Sequence, residues 1–452
     1  MQQGLLIMLL CCGFVAPAFS PPAVLVTSTT DAPDALPGDG QCTTTNQQCT
    51  LRAAIQEANA RSGPDTITLP VGIYRLSLTG TDNDASAGDL DITDPLTITG
   101  QLSSTTIIDA QAIDRVFSIW NTTVTLSNLT IQGGKTTNLA PLTETNGGGI
   151  LNAGVLILRD TRVQDNRAGD FGGGIANTGQ LTIIYSRIEH NTAVTGGGIG
   201  NATNSTAAIT DTLLQDNSAS AEGGGISAVG YLFLTNSTVR QNRAAVGGGI
   251  STAAQTVITT STIAANSAEG TTAGYGGGVV NTGALHIKTS TLSGNQARIG
   301  GGLVQGECDT CSTQFEASTI TLNQAISGGG VWSTSGQVTL RRTIVAANAS
   351  GDCTGTLTSQ DYNLIGALSG CTLMGEIMHT VVGRNPLLGP LQDNGGATWT
   401  HAPQLGSPAI DAGGACQDSD QRGHSRPVGR ACDIGAVEAD TLRLVYLPVL
   451  RR

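Results

Sequence analysis

The chain has 452 residues, of which 61 are glycine, while charged residues make up 12 % and aromatics 3 %. Few charges alongside 39 % hydrophobic residues exclude a disordered chain, and glycines gathered in triplets exclude a collagen-like one. A net charge of −12 opposes binding to nucleic acid or anionic membrane surfaces.

From the N-terminus, Leu5 to Ala16 is an apolar run too short to span a bilayer, followed by an A-x-A pattern at Ala16-Pro17-Ala18. Residues 1–20 therefore read as a signal peptide, and no other segment is apolar enough for a transmembrane helix. The mature chain is expected to be secreted or held at the cell surface. Leu51, Ala54, Ile55 and Ala58 have helical spacing, which predicts an amphipathic helix covering the open end of whatever follows. The acid-rich stretch 81–91 comes next. Asp82, Asp84, Asp89 and Asp91 offer the oxygens that Ca²⁺ takes, although the stretch lacks the glycine and closing Glu of an EF-hand loop. The alternative is a solvated turn whose acids cap local amides.

A repeat dominates the middle of the chain. Gly-Gly-Gly followed by an aliphatic residue starts at 147, 172, 196, 223, 247, 276, 300 and 328, at intervals of 24 to 29 residues. Within each interval recurs [S/T]-x-[V/I/L]-x-x-Asn, ending at Asn166, Asn191, Asn217, Asn242, Asn266, Asn295, Asn323 and Asn348. Short β-rich stretches separate these corners, with no helical period. Such a period predicts an all-β solenoid, a parallel β-helix with one coil per repeat over residues 65–350. Stacked coils would set the asparagines in a ladder, with Asn152, Asn177, Asn201 and Asn281 forming a second.

Aligning coils on the asparagines exposes candidate site columns. Asp165, His190 and Asp216 fall on three successive coils, with Arg162 and Arg187 on two of them. Clustered acids with a His or Arg are what polysaccharide lyases and hydrolases use to move protons. The plainer reading is an exposed column satisfying turn amides. Thr238, Thr262, Thr291 and Thr319 form a further column, outward-facing if Val239, Ile263, Leu292 and Ile320 face inward, and a flat threonine face raises ice binding as a remote alternative.

After Asn348 the repeat gives way to a Cys-, Gly- and Pro-rich segment, 351–440, and a tail, 441–452, able to form one strand. Eight cysteines remain after the signal, as the local pairs Cys42/Cys49, Cys308/Cys311, Cys353/Cys371 and Cys416/Cys432. An even count on an exported chain reads as disulfides.

The two ends of the mature chain resemble known exported families. Cys49-Thr50-Leu51-Arg52-Ala53-Ala54-Ile55 resembles the CSLREA-type N-terminal domain, here over 21–64, with Asp89-Leu90-Asp91-Ile92-Thr93 and Asp114-Arg115-Val116-Phe117 as its continuation. Thr50 and Ala53 depart from the name motif. Residues 385–396, Gly406–Gly413, Asp420–Gly423 and Cys432–Ala436 are similar to the choice-of-anchor Q domain, and the repeats to those of polymorphic outer-membrane proteins. These resemblances imply a right-handed, pectate-lyase-like parallel β-helix of bacterial export, without supplying a reaction. The expected function is a binding or adhesion module toward glycans or a neighbouring surface, with a polysaccharide lyase or glycoside hydrolase as the alternative.

Overall fold

A computed structural model of the chain describes residues 23–137, 145–270, 274–306, 308, 310–333 and 335–440. The expected signal peptide and tail strand lie outside them.

The described residues wind as a parallel β-solenoid. One coil shows the plan. Ile175–Asn177 and Gln180–Ile184 belong to sheet one, Arg187–Glu189 to sheet two and Thr192–Thr195 to sheet three, after which Gly196 to Gly198 turn the chain into the next coil. The pairings between successive coils are parallel and keep the repeat in register, Ile188 opposite Leu214 and Leu214 opposite Val239. Alternation within each strand points one residue in and the next out. The inward set of this coil, Ile175, Leu181, Ile183 and Ile188, is at most 1 % exposed. The core is therefore a thin column four aliphatic side chains wide, continuous from Val26 to Ile365.

The corners explain the repeat motif. The first glycine of each triplet has a left-handed backbone, for example φ +67° at Gly196. The next two lie against the following coil: a Cβ on Gly198 would sit 2.6 Å from the Gly225 carbonyl oxygen. Both polar letters of the second motif are ladders. Asn191 donates from its amide nitrogen and its Nδ2 to Oδ1 of Asn217, both at 3.0 Å, and Nδ2 also reaches the Val163 carbonyl. The same bonds recur down the column to Asn348. The leading Ser/Thr stacks likewise, as where the Thr212 amide donates to Ser237 Oγ and the Ser237 amide to Ser261 Oγ. The second Asn column is present where asparagines adjoin, Asn152 to Asn177 to Asn201, and Asn281 meets Gln305 instead.

The coils run further than the triplets. Cys353–Gln360, Leu364–Ile365, Cys371–Glu376 and Val381–Val382 continue the sheets in parallel register. Asp352 and Asn363 take over the ladder places, the first accepting from Asn348 Nδ2 and the second from the Thr343 amide, both at 2.9 Å. The motif letters change there but the hydrogen-bonding function does not.

Helix α1, Leu51–Ala60, is capped by the Thr50 hydroxyl and packs against the first strands, with Leu51, Ala54, Ile55 and Ala58 buried. Its polar face is also covered. Fully buried Arg52 pairs with Asp31 at 2.6 Å and donates to the Ala85, Gly88 and Asp89 carbonyls. The four local disulfides form: Cys42–Cys49, Cys308–Cys311, Cys353–Cys371 and Cys416–Cys432.

The C-terminal segment does not extend the cylinder but folds back along sheet two. Thr262 Oγ1 donates to the Trp399 carbonyl at 2.6 Å, Thr291 Oγ1 to Gln421 Oε1 at 2.6 Å, and Thr319 Oγ1 accepts from the Ala436 amide at 3.0 Å. The threonine column thus points outward, while Val239, Ile263, Leu292 and Ile320 fill the core. Thr262, Thr291 and Thr319 are nevertheless buried, because the C-terminal segment lies on them. The flat exposed face that ice binding needs is not there.

Candidate functional site

Where the C-terminal segment stops, sheet two is open and forms one side of a cleft of about 770 Å³. Its floor is the outward positions of successive strands: Arg187, Leu213 and Thr238 in register, with Arg240 from the neighbouring column. Tyr185 and Asp211 rim it from the preceding turn, both in left-handed conformation. Leu391, Ala397, Thr398 and Trp399 of the C-terminal segment make its wall. Tyr185 and Trp399 are 59 % and 50 % exposed, a large amount of aromatic surface for a chain with so few aromatic residues.

Among the described residues, the cations of this cleft, Arg187 and Arg240, are not neutralised by ion pairs. Arg162, one coil before Arg187, binds Glu189 at 3.2 Å. Arg240 donates from Nε and Nη2 to Gln215 Oε1 at 3.1 and 2.8 Å, and its guanidinium lies 5.9 Å from the Trp399 ring centre. Among the described residues neither Arg187 nor Arg240 has a carboxylate within 4 Å. Other basic residues, Arg167 and Arg341 among them, also lack such a partner; what sets Arg187 and Arg240 apart is that both line one cleft beside exposed aromatic surface.

The residues singled out from sequence are only partly gathered. Arg162 and Arg187 are neighbours in register, as the alignment required. Asp165, His190 and Asp216 stack on successive coils as left-handed turn residues with φ of 54°, 57° and 53°. His190 Nε2 lies 3.9 Å from Asp216 Oδ2, both well exposed, and Asp165 accepts from Gln164. Of these five residues, Arg187 alone lines the cleft. Arg240 belongs to a column that coil alignment reveals. Trp399 lies 137 residues from Thr262, whose hydroxyl it fixes, and no periodicity relates the two.

Of the aspartates proposed for calcium, Asp82, Asp89 and Asp91 line one cavity of about 200 Å³ together with Asp114 and Arg115, and Asp84 is not part of that lining. Asp82 accepts the amides of Asp84, Ser86 and Ala87, and Asp84 accepts that of Ser86, so the loop is folded on its own carboxylates. Asp89 accepts from Ser118 Oγ and Asp91 from Trp120 Nε1, both beneath the loop. Burial pushes Asp89 up to about 7 and Asp91 to about 6. Among the described residues no group of three or more His, Cys, Asp or Glu is arranged to hold a metal ion. The C-terminal charges are structural: Arg422 pairs with Asp420 at 2.9 Å and Arg426 with Glu438 at 3.6 Å. His379, isolated in sequence, is held by Asp361 through Nδ1 at 2.6 Å and stacks on Tyr362.

No protein-family model matches the sequence, and no curated protein does. Among solved structures, pectate lyase Pel9A is similar at 14 % identity and TM-score 0.40, over 92 % of this chain and 98 % of that one. The A-module of the Azotobacter vinelandii mannuronan C-5 epimerase AlgE4 follows at 13 % and 0.33, over 76 % and 95 %. A mannuronic acid specific family 6 polysaccharide lyase from human gut microbiota follows at 8 % and 0.26, over 72 % and 89 %. At such scores these likenesses carry no argument, and the fold rests on the coil register itself. No helix among the described residues is long and apolar enough to cross a membrane.

Proposed function

We propose that the protein is an exported binding module whose cleft on sheet two takes a carboxylated saccharide. The observation that carries this reading is the pair Arg187 and Arg240, without acidic partners, set among half-exposed Tyr185 and Trp399. Guanidinium binds carboxylate in two parallel hydrogen bonds, and aromatic faces take the apolar face of a sugar ring. A solenoid face supplies extended area without a deep pocket, as in other repeat proteins. Four disulfides support an oxidising compartment.

Titration with uronic-acid oligosaccharides and their neutral, carboxyl-reduced counterparts tests the reading. The acidic ligand should bind, and Arg187→Ala or Arg240→Ala should each weaken it roughly tenfold or more, since hydrogen bonds to charged groups are the strong ones. Equal binding of the neutral ligand, or no effect of either substitution, would overturn it.

A lyase or hydrolase on the same face is the alternative. Among the described residues the cleft lining carries one carboxylate, Asp211, whereas glycosidic hydrolysis ordinarily uses two. Incubation with acidic polysaccharides should release no unsaturated or new reducing ends. Release that is lost in Asp211→Asn would reverse the preference.

A further inference from the structure

The open part of sheet two ends against a built wall, and this bears on which part of a saccharide the cleft can take. Following one outward column along the cylinder, Arg187 is exposed and Leu213 and Thr238 are half-buried, whereas Thr262, Thr291 and Thr319 are at most 1 % exposed. The change falls between two adjacent coils. It is caused by Thr398 and Trp399, whose segment crosses the sheet at Thr262.

That crossing is tied down at several points. Thr262 Oγ1 donates to the Trp399 carbonyl at 2.6 Å, and Thr398 Oγ1 to the Thr260 carbonyl at 3.1 Å. Gln421 Nε2, buried behind them, donates to Thr262 Oγ1 and Thr398 Oγ1 at 2.9 and 2.8 Å. One coil further, buried His401 bridges Ser293 Oγ and the Gly389 carbonyl at 2.8 and 2.7 Å, and burial holds its imidazole below the usual histidine range, hence neutral. Buried bonds in this number make the wall part of the folded unit. The Trp399 side chain itself stays half exposed and faces Arg240.

We propose that the cleft recognises the end of an acidic saccharide chain. A chain laid along the cylinder axis meets the wall at Trp399, so its terminal unit stacks there beside Arg240 while the preceding units run back over Leu213 and Arg187. Coils repeat at about 4.8 Å, so the stretch from Arg187 to the wall spans roughly three units of a saccharide of similar rise. This inference rests on the proposed saccharide reading and narrows it from a class of ligand to a part of one.

The test uses the full chain with oligouronides of two to six units and a long polyuronide, measuring affinity and the number of protein molecules bound per saccharide chain. End recognition predicts that affinity levels off at about three or four units and that the number bound per chain stays constant as the chain lengthens. Reducing one terminus with borohydride should weaken binding at least tenfold if that is the end recognised; if it is the other, oligouronides whose non-reducing unit carries a 4,5-double bond should show that loss. Trp399→Ala, a substitution of an exposed side chain, should weaken the short and long ligands by the same factor. Binding in proportion to chain length, indifferent to both terminal changes, would overturn the end proposal and leave the acidic-saccharide reading intact. No binding of any uronide, with intact and variant protein alike, would overturn both.

Discussion

At the scale of single residues, Asn217 shows how much rests on one amide. Its Oδ1 accepts both the backbone amide and the Nδ2 of Asn191, and its own Nδ2 is spent on Asn242 and the Ile188 carbonyl. Asn217→Ala leaves two buried donors unmet, each costing about 1–3 kcal/mol. The urea midpoint should therefore drop by the equivalent of roughly 2–6 kcal/mol, against near neutrality for an exposed position such as Ser220. Asp89 gives a different signature. Burial raises it to about 7, and neighbouring Asp91 to about 6, so the folded protein holds protons that the unfolded chain releases near 4. Stability should accordingly fall as pH rises from about 4 to about 7. Asp89→Asn should reduce that slope, chiefly toward pH 7, with Asp91 and Asp433, both raised to about 6, carrying the rest; an unchanged slope would show that Asp89 does not titrate in this window.

At the scale of the coil, the glycine triplet and the left-handed turns make opposite demands. Gly198 has no room: its added Cβ would meet the Gly225 carbonyl at 2.6 Å and Asn217 at 3.1 Å. Gly294 has left-handed φ but nothing within 3.4 Å, and the equivalent turn positions hold Asp165, His190 and Ala265. Gly198→Ala should cost more than about 4 kcal/mol or prevent folding, because two backbones must part. Gly294→Asn should cost within about 1 kcal/mol, since Asn tolerates this conformation. Thermal denaturation of the two variants distinguishes steric from conformational need. The [S/T] letter of the motif belongs to the same account. Its regularity was readable, but its task of accepting the amide of the preceding coil is visible only when coils are stacked.

At the scale of the whole molecule, the C-terminal segment is decisive. It packs Ala409 and Ile434 against Ile344 and Leu364 of the cylinder, a small core separate from the main one. The Cys416–Cys432 link closes a loop of sequence separation 16 in this segment, and a loop of that size is worth about 3 kcal/mol in the chain-entropy account. Replacing both cysteines with serine should lower the melting temperature and weaken saccharide binding by loosening the wall. The same exchange at Cys42 and Cys49, in the N-terminal region, should change stability and leave binding as it was. Chelation should leave the melting temperature unchanged, because the Asp82 loop is closed by its own amides.

The amino-acid sequence by itself determined the solenoid, its inward aliphatic column, both asparagine ladders, the capping helix and the local cysteine pairs. All of these are local or periodic: the same residue returns after one coil, so spacing in the chain translates directly into spacing in space. It also placed Arg187 in a polar column. The tertiary structure decided the rest. It showed that the threonine face is covered, that Asp165, His190 and Asp216 lie outside the cleft, and that Trp399 closes it. Those facts depend on where a segment without a period lies across coils more than a hundred residues away, and a contact made once, between non-repeating partners, leaves no interval in the sequence to read.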